Sequence, residues 1–104
     1  MSDKVYKAVT GAGIKCAHVA WPVDGAPELP YAVYLYETEN MDADGSVYAN
    51  VRRYSVEFYQ KVSNSETEKK LEAALSSVGP WDKNEMWLES ENCLETVYSL
   101  STID

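Results

Sequence analysis

Few side chains in this 104-residue sequence could do chemistry, and the first to consider is its single histidine. His18 is the one group whose ordinary pKa lies near neutrality, and it stands two residues after Cys16, so an extended chain would point both to one side. An imidazole touching a thiol is a base beside a nucleophile, and Cys93 could take the place of Cys16 in such a pair. No further motif surrounds either pairing, and the plainer reading is two reduced structural thiols and a strand histidine. Cys16, His18 and Cys93 fall one ligand short of a closed zinc tetrahedron and lack the paired Cys-x2-Cys spacing. Asp42 and Asp44, with Glu39 and Asn40, gather oxygen atoms in one segment, but the glutamate at the twelfth position and the flanking helices of a calcium hand are missing. Gly11-Ala12-Gly13 lacks the third glycine and the strand-helix setting of a dinucleotide site, and no phosphate-loop motif occurs. None of the 17 acids lies in a stretch that promises burial and a raised pKa. The sequence therefore predicts no catalytic residue, no cofactor and no metal site, in a protein that is not an enzyme.

Composition narrows the partners. The formal charge of -8 argues against a grip on nucleic-acid phosphates or an anionic membrane surface. Charged residues stand where a signal peptide would be apolar, and no apolar run approaches the ~20 residues that span a bilayer, so a cytosolic location is expected. A chain of this mass exposes roughly 6,000 Å² when folded, which leaves one modest core and a single domain over residues 1–104. Residues 1–61 hold 6 basic and 8 acidic groups and residues 62–104 hold 3 and 9, so the acidity belongs mainly to the second part.

The elements follow from periodicity. Val5, Tyr6 and Val9 predict a short helix stopped by the glycines at 11 and 13. Ile14 to Trp21 reads as a strand stopped by Pro22, and residues 23–30 as a loop. Tyr31 to Tyr36 is apolar on both parities, which predicts a strand covered on both faces. Glu37 to Gly45 reads as a polar loop, and Val47 to Val62 as the second arm of a hairpin. In that arm the apolar parity changes at Arg52-Arg53, which predicts a β-bulge there. At ~3.3 Å per residue the arm would be roughly 50 Å long, so its first part is expected to project. Ser65 and Glu68 form a capping-box pair for a helix to Val78, with Leu71, Ala74, Leu75 and Val78 as its stripe and Gly79-Pro80 as its stop. Glu85 to Glu89 and Leu94 to Ile103 complete the set as a hairpin turning at Ser90-Glu91-Asn92. The expected fold is α+β, in the order α-β-β-β-α-β-β. Two helices would pack on an antiparallel or mixed sheet of about four to five strands, with a long hairpin between the second and third.

Aromatic residues make up 12% of the chain, and Tyr31, Tyr34, Tyr36, Tyr48, Tyr54 and Tyr59 all fall on that hairpin. They suit either a small core or a surface that is half buried on association. Three segments of the hairpin carry a resemblance: Glu28 to Leu35, the loop Asn40-Met41-Asp42-Ala43-Asp44-Gly45 before Val47-Tyr48, and Arg53 to Tyr59. They resemble small prophage proteins of Gram-positive bacteria, in which a Pro-Tyr-x-Val-Tyr strand, an Ala-Asp-Gly/Asn-x-Val-Tyr loop and a Tyr-x-x-Glu-x-Tyr strand precede a Glu/Lys-rich helix. Trp81 to Glu91 followed by Cys93 to Ser99 resembles the closing Trp, Glu-Ser-Glu and Tyr-bearing strand of the same proteins. Almost the whole chain is covered.

Such proteins are similar to the tail terminator, or tail completion, proteins of long-tailed bacteriophages. The resemblance implies an α+β subunit that forms a ring, commonly a hexamer, although it can be a monomer in isolation. The ring would cap the head-proximal end of the tail tube and join it to the head. Its implied partners are further copies of itself, the tail tube protein and the head-tail connector proteins, in the host cytoplasm during assembly and then in the virion neck. Asn40, Met41, Asp42, Asp44 and Tyr48 become the expected contacts with a neighbouring subunit or the tube, because they lie on the arm that outruns the core. Six such copies would multiply the charge of -8, and acids facing a lumen would repel passing DNA. Three other readings stay open: another neck or minor tail component, an acidic inhibitor or immunity-type protein that blocks a basic site, and a small enzyme or ligand-binding domain built around His18.

Overall fold

In the computed structural model, residues 3–22, 25, 27–43, 46–62 and 65–103 are described, the side chains of 39–43, 46–50 and 103 excepted. The chain runs through α1 (Lys4–Gly11), β1 (Lys15–His18), β2 (Tyr31–Ala43), β3 (Ser46–Gln60), α2 (Glu66–Ser76), β4 (Trp81–Leu88) and β5 (Cys93–Ile103). This is the α+β order expected from the sequence. The five strands form one mixed sheet, ordered β1-β2-β3-β5-β4, in which β1 runs parallel to β2 and every other pair is antiparallel.

Each helix begins where a side chain can satisfy its first N–H groups. Asp3 Oδ1 accepts from the amides of Val5 and Tyr6 at 2.8 and 3.0 Å, and Ser65 Oγ accepts from the amide of Glu68 at 3.0 Å. Both helices lie on one face of the sheet. Their buried Val5, Val9, Leu71 and Leu75 meet Ala32, Tyr34, Tyr54, Val56, Phe58, Tyr98 and Leu100, which alternate along the strands as a single-faced core requires. Among the described residues no helix covers the opposite face.

Several boundaries differ from expectation. The first strand stops at His18 and not Trp21, because Val19 adopts a φ of 73° and its amide turns to the carbonyl of Tyr34 at 2.9 Å. Glu37 to Ala43 is strand and not loop. A two-stranded ribbon needs only its ladder, and β3 supplies partners out to Ala43↔Ser46 whatever the side-chain polarity. The bulge lies elsewhere too. Register runs unbroken through Thr38↔Arg52 and Glu37↔Arg53 and shifts between Met41 and Asp42, where Tyr48 is passed over on β3. The parity change at the arginines is a change of face: Val51 lies on the open side, and Tyr54 and Val56 on the helix side. Cover on both faces of β2 is real only near its start, where Val33 is buried opposite the helices; Leu35 and Tyr36 are half-buried. Finally, β4 begins at Trp81, four residues earlier than expected, and Trp81 packs edge-on against Tyr98.

The hairpin outruns the rest of the sheet. β5 reaches no further than Val51 and β1 no further than Tyr34, so from Asn40↔Asn50 outward β2 and β3 pair only with each other. With this ribbon the molecule measures 50 × 28 × 25 Å.

Candidate functional site

The sheet separates the residues that looked most chemical. Cys16 faces the helices from β1 and Cys93 faces the open side from β5, so no thiol pair and no shared metal site can form between them. Burial, aided by the charge of Asp3, pushes the Cys16 thiol up to about 12, and burial with Glu91 and Glu95 raises that of Cys93. Both are poor nucleophiles at neutral pH. His18 does share the side of Cys16, but its ring is exposed and stacks on Tyr34 and Tyr36, with centroids at 4.7 and 5.2 Å. Among the described residues no group of three His, Cys, Asp or Glu side chains converges as a metal site.

Polar residues on the helix face bind one another. Asp3 Oδ2 accepts from the Tyr54 hydroxyl at 2.7 Å and meets Arg52 at 3.4 Å, while the Arg52 guanidinium lies 4.6 Å from the centroid of the Tyr36 ring. Burial lifts the Tyr54 phenol to about 12, and Asp3 adds to the rise against the opposing pull of Arg52. At the other end, Glu68 is 2% exposed and engages Gln60 Nε2 at 2.5 Å and the Lys83 ammonium. Lys83 also reaches Glu72 at 2.7 Å, and Glu72 accepts from the Tyr98 hydroxyl at 2.8 Å. Partial burial pulls the Lys83 pKa down, and the hydrogen bonds of Glu68 and Glu72 outweigh it, so the ammonium is held charged. These networks fix α1 and α2 to the sheet.

The open face is built differently. At one end Trp21 packs edge-on against Tyr31, which tilts against Tyr59, and the Tyr59 hydroxyl lies 3.1 Å from Glu57 Oε1 and 2.8 Å from Glu95 Oε2. Burial, then the hydrogen bond to Glu95, raises the Tyr59 pKa, so the phenol keeps its proton between two carboxylates. Further along, Leu35, Pro80, Trp81 and Leu100 line a concavity of about 910 Å³ together with the polar Glu37, Arg53, Ser55, Glu57, Asp82 and Ser99. Ser55 stands opposite Ser99, and Glu37 opposite Arg53. Hydroxyls and charges at this spacing offer hydrogen bonds to a docked surface and supply no nucleophile with a base.

The chain matches no protein-family model and no curated protein.

Of the expected contact residues, Asn40, Met41, Asp42 and Tyr48 have their backbones on the projecting ribbon, with Tyr48 at the bulge, while their side chains and the whole of Asp44 lie outside the described residues. The tyrosines divide by face: Tyr34 and Tyr54 are core, Tyr36 is half-buried beside them, and Tyr31 and Tyr59 form the row on the open side. Sequence reasoning did not single out Ser55, Ser99 or Asp82. Their signal was present in the period-2 alternation of β5, where Ser99 falls between the core residues Tyr98 and Leu100.

Proposed function

We propose that this chain is a structural subunit of a phage or prophage tail, a terminator that caps the head-proximal end of the tail tube as a ring and mediates head-tail joining. The observation that carries the proposal is the two-stranded ribbon of residues 40–43 and 46–50, which leaves the sheet with no third strand among the described residues to support it. A ribbon of this kind is stabilised when a neighbour packs on it, because an isolated pair of strands is marginal in water. The resemblance of the ribbon and its flanking strands to tail terminator proteins supplies the identity of the neighbour: an adjacent subunit or the tube.

On this reading Asn40, Met41, Asp42, Asp44 and Tyr48 make the contact, the tyrosine row and the polar networks hold the body rigid, and no reaction is catalysed. The decisive experiment adds the purified chain to a polymerising cognate tube protein and follows tube length and end structure by negative-stain imaging. Tubes should stop growing and carry a ring at one end. Substituting Met41 and Asp44 should abolish capping while leaving the fold intact. Tubes that grow on unchanged would overturn the proposal. A tight 1:1 complex with a basic protein, strongly weakened by salt, would favour the inhibitor reading in its place.

A further inference from the structure

The two outer strands of the sheet, taken with the segments joined to them, differ in the sign of their exposed charge. β1 and β4 lie at the ends of the order β1-β2-β3-β5-β4, so their unpaired edges face in opposite directions. Residues 4–18, which hold α1 and β1, contain Lys4, Lys7 and Lys15 and no carboxylate, and all three lysines are exposed. Residues 81–91, which hold β4 and the turn after it, contain Asp82, Glu85, Glu89 and Glu91, all exposed, against one lysine. That lysine, Lys83, is turned inward onto Glu68 and Glu72. Asp3, which caps α1, has its carboxylate bound to Tyr54 and Arg52, so in a chain of net charge -8 this segment presents lysines.

Apolar exposure follows the same division. Five large apolar side chains are exposed among the described residues, and four of them sit at these two ends. Tyr6 lies on α1 and Val19 directly after β1, exposed by 41% and 59%; Met86 and Trp87 lie on β4, exposed by 60% and 49%.

We infer that the β4 edge of one copy docks on the β1 edge of a second copy, head to tail. Each end offers what an interface needs, exposed apolar side chains together with exposed charge of one sign, and the charges are complementary only when unlike ends meet. Two β4 edges would bring eight carboxylates together. The same acids that keep β4 from pairing with itself therefore draw it towards Lys4, Lys7 and Lys15. Because the contact is heterologous, each copy keeps one free edge of each kind, and repetition yields a closed ring or an open filament. This gives the tail-subunit proposal its contact between subunits and rests on that proposal only for closure into a ring.

The test uses two charge-reversed variants of the full chain. One carries Lys4→Glu, Lys7→Glu and Lys15→Glu; the other carries Glu85→Lys, Glu89→Lys and Glu91→Lys. Sedimentation velocity at low salt should show concentration-dependent association of the parent, weakened roughly tenfold or more in either variant alone. An equimolar mixture of the two should associate again, because every unlike edge then meets its complement. Thermal unfolding of each variant checks that these exposed substitutions leave the fold in place. A parent that stays monomeric throughout, variants that associate as the parent does, or a mixture that fails to recover would each overturn the inference. Recovery in the mixture together with no effect on tail tubes would leave the edge contact standing and remove the tail reading.

Discussion

On the helix side of the sheet, Glu68, Lys83, Glu72 and Tyr98 are bound to one another and shielded by α2, whereas on the open side Ser55, Ser99 and Asp82 line a surface that no helix among the described residues covers. The same strands feed both faces, one residue apart. Polarity alone therefore does not mark a site in this protein. What distinguishes the faces is cover: both helices pack on one side, whereas the other side keeps Ser99 and Asp82 exposed even though Tyr59, Glu57 and Glu95 bind one another there.

That contrast makes a graded set of expectations for stability. Phe58 is fully buried at the centre of the helix-side core, and Phe58→Ala should cost about 3–5 kcal/mol in denaturant unfolding. A cost near zero would show that the core is not where the apolar contacts place it. Next is the buried carboxylate. Lys83→Met leaves Glu68 without its cation, and a loss of about 2–4 kcal/mol is expected; adding Glu68→Leu to the same chain should recover much of it, since a buried pair is worth far less than the damage done by breaking it. If the double variant were as unstable as the single one, the network would be holding α2 by geometry and not by charge.

Both faces contribute to the alkaline limit, the open side through Cys93 and Tyr59 and the helix side through Cys16 and Tyr54. The Cys16 thiol ionises near 9.0 in an unfolded chain and near about 12 when folded, so between those values the unfolded state has lost a proton that the folded state keeps. Raising the pH through this window pulls the equilibrium towards unfolding. Tyr54, raised from 10.0 to about 12 by burial first, acts in the same direction from a higher starting pH. Stability measured by denaturant titration should fall from about pH 9 upward, and Cys16→Ala should delay the start of that fall. An unchanged profile would mean that the thiol is solvated and the β1 end of the core is open.

Much of this division was legible in the sequence, and its failures share a cause. The spacing of Leu71, Ala74 and Leu75 and the Ser65 cap specified α2 because those signals are local. The alternation of Leu94, Thr96, Tyr98 and Leu100 likewise announced the inward face of β5. What could not be read locally was decided by a distant partner. Glu37 to Ala43 looks like loop until β3 offers a ladder, and the change of apolar parity at Arg52-Arg53 looks like a bulge until one face is known to lack helices. The candidate site suffered most, because an uncovered face is defined by what α1 and α2 do not reach, and no single segment records that.

The smallest expected effect gives the finest test, because it compares two β5 hydroxyls three residues apart on opposite faces of the sheet. Thr96 is fully buried on the helix side, and its hydroxyl has no hydrogen-bond partner among the described residues, whereas Ser99 is exposed on the open side. A buried hydroxyl without a partner carries its desolvation cost with no return, so Thr96→Val, which keeps the branched shape, should stabilise the fold by about 1 kcal/mol. Ser99→Ala removes a group that water already satisfies and should shift stability by less than about 0.5 kcal/mol. Both effects are small, and they differ in origin: one removes a buried hydroxyl without a partner and the other an exposed one. If Thr96→Val destabilises the protein, its hydroxyl has a partner after all and the helix side is more fully bonded than the geometry indicates. If Ser99→Ala proves costly in the isolated chain, the open face is already occupied by the protein's own structure and is not a surface held for another molecule.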